Sequence, residues 1–84
     1  SRGLIVAEAV MMALAPHTGR KEAHDIVYAG CRRAVEGSMS LYDALKDEVA
    51  LTSHLEVELL KSLTEPRNYL GEAPEMVDRV LAGR

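Results

Sequence analysis

The chain opens on an unbroken apolar run, Leu4 to Ala15, "LIVAEAVMMALA", in which Glu8 is the one charge. Apolar positions fall on every side of a 3.6-residue period, which predicts a helix buried all round. The Ala- and Met-rich continuation favours helix over strand, and Pro16 is expected to stop it. An 84-residue domain has little capacity to surround such a helix, so part of its surface is expected to meet another domain or subunit. Residues 20 to 36, "RKEAHDIVYAGCRRAVE", are cleaner. Ala23, Ile26, Val27, Gly30, Cys31, Ala34 and Val35 recur at three- and four-residue intervals, one stripe of an amphipathic helix. Gly30 on that stripe costs about 1 kcal/mol of helix propensity relative to Ala; its expected purpose is close approach of another helix backbone.

Between these helices, "PHTG" reads as a short connector. Thr18 or Gly19 is a candidate cap, and Glu22 faces the positive end of the second helix dipole. Gly37 is expected to end that helix. Ser40 then caps a short third helix with Asp43 three residues on, in the manner of a capping box, and Leu41, Ala44 and Leu45 form its apolar edge. "DEVALTSH" predicts one turn of helix. A fourth helix is expected over 55 to 63, with Leu55, Leu59, Leu60 and Leu63 inward and Ser53 with Glu56 as a cap. Next comes the connector "PRNYLGEAPE", residues 66 to 75. Tyr69 and Leu70 in it are read as an anchor packed back onto the first two helices, and Asn68 hydrogen-bonds its own turn. Gly71 supplies backbone freedom. Pro74 starts a fifth helix carrying Met76, Val77, Val80 and Leu81. No strand signal, internal repeat or low-complexity segment interrupts this pattern. The chain reads as one all-α domain over residues 1–84, a small bundle of about five helices with short connections.

Composition narrows the function. Thirteen acidic residues against ten basic give a net charge of −3, and Arg20-Lys21 and Arg32-Arg33 are the basic dipeptides, too little for a basic patch, so a nucleic-acid partner is not expected. The apolar fraction of 48% is that of a folded domain. One cysteine, Cys31, allows no internal disulfide and suits a reducing compartment. The apolar start lacks a charged leader and a cleavage pattern and is too short to span a bilayer. These features predict a soluble cytoplasmic domain without a membrane partner. The start Ser1-Arg2-Gly3, without Met, suggests a piece of a longer protein.

The side chains that carry chemistry are sparse. His17, His24 and His54 share no ligand spacing and read as solvated histidines rather than a metal site. Cys31 on the apolar stripe reads as a small core residue, with no histidine placed to activate it. Met11, Met12, Met39 and Met76 either line a groove or fill the core; three lie in or beside apolar patterns, which favours the core. Glu22, Asp25, Arg32 and Arg33 read as a solvated face. Arg20, a cation at a helix N-terminus, opposes the dipole and is expected to have a carboxylate partner. No phosphate loop, nucleophile elbow or paired-acid site is present. No catalytic, substrate-binding or metal-ligating residue is assigned, and no cofactor.

Four segments taken together resemble a known family: "GLIVAEAVMMALA" at 3–15, "GRKEAH" at 19–24, "PRNYLG" at 66–71 and "MVDRVL" at 76–81. Their order and spacing resemble the C-terminal domain of the aspartase/fumarase superfamily, in the branch of adenylosuccinate lyase and 3-carboxy-cis,cis-muconate cycloisomerase, leaning to the cycloisomerase. The resemblance implies a homotetrameric parent with a long helical bundle and active sites built from several subunits. It also implies cofactor-free chemistry in which charge develops beside a carboxylate. The family's mobile serine loop, Gly-Ser-Ser-x-Met-Pro-x-Lys-x-Asn-Pro, has no match here, and its catalytic histidines lie in segments upstream of this domain. No catalytic role therefore passes to His17, His24 or His54. The domain is expected to pack on the parent's bundle and shape the active-site mouth, to be inactive alone, and to self-associate when isolated. The remaining alternatives are the adenylosuccinate lyase domain of purine biosynthesis and an autonomous module that binds a partner helix. A DNA-binding helix-turn-helix ranks behind both.

Overall fold

The computed structural model describes residues 2–70, and side chains over 3–69. Among them are six helices and no strand, in the order α1 (Arg2–Thr18), α2 (Arg20–Gly37), α3 (Leu41–Leu45), α4 (Val49–Thr52), α5 (Val57–Leu63) and α6 (Arg67–Leu70). The all-α expectation holds. The helix expected after Pro74, with Gly71, Met76, Val77, Val80 and Leu81, lies outside the described residues.

α1 and α2 form an antiparallel hairpin joined by Gly19 alone. Gly19 has φ 91° and ψ 157°, a region essentially closed to residues with a Cβ. Its N–H still donates to Ala15 O at 2.8 Å, and its own carbonyl accepts from Ala23 N at 3.0 Å. Two expectations are corrected here. Pro16 does not stop the first helix, which runs through it to Thr18. Proline deprives only the carbonyl four residues back of its bond; that residue, Met12, is 75% exposed, so water can take the carbonyl. The other concerns the cap of α2: of the two candidates Gly19 holds the N-cap position, with no side-chain bond, and Thr18 is set aside, its hydroxyl donating to Gly19 O at 3.0 Å.

α2 ends where the glycine signal placed it, but the left-handed residue is Ser38, at φ 54° and ψ 44°. Ser38 N donates to Val35 O at 3.3 Å and Met39 N to Ala34 O at 2.9 Å, the paired bonds of a Schellman turn. Ser40 caps α3 as expected, accepting from Asp43 N at 3.0 Å. Ser53 with Glu56 does not form a cap: Glu56 precedes α5 with no side-chain bond, and Ser53 closes α4.

The core joins Ala7, Val10 and Leu14 of α1 to Ala23 and Val27 of α2 and to Leu45, Leu51, Leu55 and Leu60. Each fully buried Leu or Val contributes about 1.5–3 kcal/mol. Gly30 is buried in this packing, but not against a helix backbone as expected. Its missing side chain makes room for the Leu45 side chain, with which a Cβ on residue 30 would collide. Leu59, expected inward, is 44% exposed; a helix as short as α5 buries one narrow stripe, and Leu60 and Leu63 occupy it.

The first helix is not buried all round. Val6, Ala7, Val10 and Leu14 are buried, whereas Leu4, Ile5 and Met12 are exposed. Ile5 and Met12, seven residues apart, lie on the side opposite the core.

Candidate functional site

The polar side chains resolve into small structural sets. Lys21 Nζ pairs with Asp25 Oδ2 at 3.1 Å; that hydrogen bond and the lysine's charge hold the Asp25 carboxyl below its ordinary range. His24 stacks on Tyr28 with ring centroids 4.1 Å apart, and its Nδ1 lies 3.7 Å from Asp25 Oδ1. Lys46 sits 3.3 Å from Asp43, whose carboxylate raises the lysine's pKa. These groups are exposed and make only local pairs, which contribute little to stability.

Two longer-range arrangements had no sequence signal. His17, in the last turn of α1, stacks on His54, between α4 and α5, with centroids 5.2 Å apart and planes at 17°. Arg33 was expected on a solvated face. Instead its Nη2 donates to Ala44 O at 3.0 Å and reaches Glu48 Oε1 at 3.4 Å, tying the end of α2 to α3 and α4. The Ala44 carbonyl lies near the end of a short helix, where a cation opposes the dipole favourably. Arg20 is the converse case. Among the described residues it makes no ion pair and stands exposed at the start of α2, so the expected carboxylate partner is not there.

Among the described residues, no three His, Cys, Asp or Glu side chains gather as metal ligands would. Cys31 is half-buried, and burial pushes its thiol up, away from nucleophilic chemistry. Met11 packs against the core, but Met12 and Met39 do not join it; both are exposed. Met76 lies outside the described residues.

The "PRNYLG" segment is tied down, though not where expected. Tyr69 Oη donates to Leu63 O at 2.8 Å and Asn68 Nδ2 to Ser62 O at 2.7 Å. Both bonds go to carbonyls at the end of α5, where helical partners run out; Ser62 O also accepts from Glu65 N at 3.2 Å. Thr64 Oγ1 adds a third, to Leu60 O at 2.9 Å. Tyr69 is half-buried and clasps α5 rather than reaching α1 and α2 through its hydroxyl. Leu70's side chain lies outside the described ones.

An apolar groove of about 530 Å³ lies between the start of α1 and the second half of α2, with Leu41 and Pro66 also lining it. Among the described residues no charged side chain lines it.

The described residues form a small all-α domain with buried apolar seams and an exposed apolar flank on α1. The sequence model described as "Adenylosuccinate lyase C-terminus" matches residues 3–80, and the chain belongs to that family, within the aspartase/fumarase superfamily. The crystal structure of a fumarate lyase from Mesorhizobium sp. BNC1 is 67% identical with a TM-score of 0.76, covering 100% of this chain and 20% of that one. Trans-aconitate decarboxylase 1 of Mycosarcoma maydis is 45% identical over 98% of this chain and 17% of its own length. The 3-carboxy-cis,cis-muconate cycloisomerase of Acinetobacter baylyi is 41% identical over 96% of this chain and 18% of its own. The chain thus spans under a fifth of the length of these curated relatives. No helix among the described residues is long and apolar enough to cross a membrane.

Proposed function

We propose that this chain is the accessory C-terminal domain of an aspartase/fumarase-type enzyme. It packs on the parent's helical bundle, helps shape the active-site mouth, and is not catalytic alone. The observation that carries this reading is the family match over residues 3–80, in a chain whose described residues assemble no acid–base pair. The exposed flank of α1 at Ile5 and Met12 supports it as surface meant for the bundle.

The names of the three relatives share a chemistry: fumarate, trans-aconitate and carboxymuconate are small unsaturated polycarboxylates with an alkene beside a carboxylate. We infer that the parent acts on that substrate class, first as a cycloisomerase, in which a carboxylate oxygen closes onto the alkene to form a lactone. Negative charge then develops at carbon beside a second carboxylate and must be stabilised and protonated. The family's description favours a second reading, the release of fumarate from adenylosuccinate. The parent protein, given 3-carboxy-cis,cis-muconate and adenylosuccinate separately, is expected to form lactone from the first. The 84-residue chain alone is expected to turn over neither. Fumarate release from adenylosuccinate without lactone formation would select the second reading. Turnover by the chain alone would overturn the accessory role.

A further inference from the structure

No spacing in the sequence groups the three histidines, yet the fold brings two of them together. His17, in the last turn of α1, and His54, between α4 and α5, stack with ring centroids 5.2 Å apart and planes at 17°. Both side chains are exposed, and among the described residues neither ring makes a hydrogen bond or an ion pair. Their backbones are nonetheless fixed. Leu14, one turn before His17, and Leu51 and Leu55, flanking His54, are buried in the core, and His54 N donates to Leu51 O at 3.0 Å. Separate elements thus present two imidazoles side by side, with their ring nitrogens unpartnered.

We propose that His17 and His54 form a two-histidine site for a divalent transition-metal ion, zinc in the first place. Neutral imidazole is a preferred ligand of zinc, copper and nickel. The spacing fits one ion between the rings. A zinc–nitrogen bond of about 2.1 Å puts each ring centre about 3.2 Å from the metal, and a tetrahedral angle then separates the centres by about 5.2 Å. A square-planar right angle, which suits copper, would draw them in to about 4.5 Å. The near-parallel rings turn about χ2 to aim one nitrogen each at the ion, a broad torsion in histidine, and their exposure leaves them room. Two ligands fall short of the three or four of a catalytic or structural zinc site. Water takes the other positions, and the dissociation constant is expected on the order of 10–100 μM. The bound ion would tie the end of α1 to the segment between α4 and α5 and so stabilise the folded chain. His24 is the internal control, because its ring stacks on Tyr28 and not on a second imidazole.

Zinc chloride titrated into the full 84-residue chain at neutral pH, followed by calorimetry, is expected to show one ion bound per chain. His17→Ala and His54→Ala are each expected to weaken binding about tenfold or more, with helical content unchanged because both side chains are exposed. His24→Ala is expected to bind as the unaltered chain does. Proton NMR of the unaltered chain reads the same site without a variant: the imidazole signals of His17 and His54 are expected to shift together as zinc is added, while those of His24 stay. Zinc is also expected to raise the urea midpoint of the unaltered chain and not that of His17→Ala. No binding at about 1 mM zinc, or full affinity retained by either His17→Ala or His54→Ala, would overturn the proposal. So would zinc-dependent shifts confined to His24.

Discussion

The two long helices, α1 and α2, are neighbours of almost equal length, yet they settle their apolar surface differently. α2 carries one stripe, and its centre disappears inside this chain: Ala23, Val27 and Gly30 are buried, and Arg33 pins its far end through the Ala44 carbonyl. α1 has apolar residues on all sides and buries only one of them, through Val6, Ala7, Val10 and Leu14. The opposite side carries Ile5 and Met12, 38% and 75% exposed. A helix whose pattern exceeds what its domain can cover is written for a larger assembly. α2 is not fully covered either, since Val35 near its end is 80% exposed. The difference separates residues that hold this domain together from residues left open on its surface.

The comparison can be broken first on the buried side of α1. Leu14 is fully buried in the shared core, and Leu14→Ala is expected to cost about 2–5 kcal/mol. In a domain stabilised by about 4–12 kcal/mol, that is a large drop in the urea midpoint. Next comes the seam of α2. Gly30→Ala gains about 1 kcal/mol of helix propensity but forces the buried Leu45 aside, an overpacking that costs about 1–3 kcal/mol. A net loss of stability is expected, and in a Leu45→Ala background the same Gly30→Ala change is expected to cost nothing further; a stabilised Gly30→Ala protein would show that Leu45 moves freely. A smaller effect is expected at the clasp. Tyr69→Phe removes one bond to Leu63 O and should cost about 1 kcal/mol, read from the melting temperature. Smallest is the open flank of α1. Met12→Gln is expected to change the stability of the isolated chain by no more than about 0.5 kcal/mol, and a cost of several times that would place Met12 in a core after all.

What the sequence disclosed and what it withheld divide along contact range. Ser40 with Asp43 was legible because a cap is a bond over three residues. The α2 stripe was legible because one face of one helix carried it. Pro16 misled because the rule against proline applies with full force only in a helix interior, and here the proline sits in an exposed last turn. Gly30 was recognised as a close approach, but nothing local says that a leucine side chain, and not a backbone, comes near. Leu59 read as core because four leucines at helical spacing do not reveal how narrow the available seam is. Arg33 on Ala44 and His17 on His54 depend on how separate elements meet, so no spacing announces them.

The central claim is that the open flank of α1 is an interface awaiting its partner, and sedimentation of the 84-residue chain tests it most directly. Without its bundle, the chain is expected to self-associate as concentration rises, and Ile5→Gln with Met12→Gln is expected to return it to monomer with its helical content unchanged. A clean monomer at high concentration, with Ile5 and Met12 intact, would contradict the account.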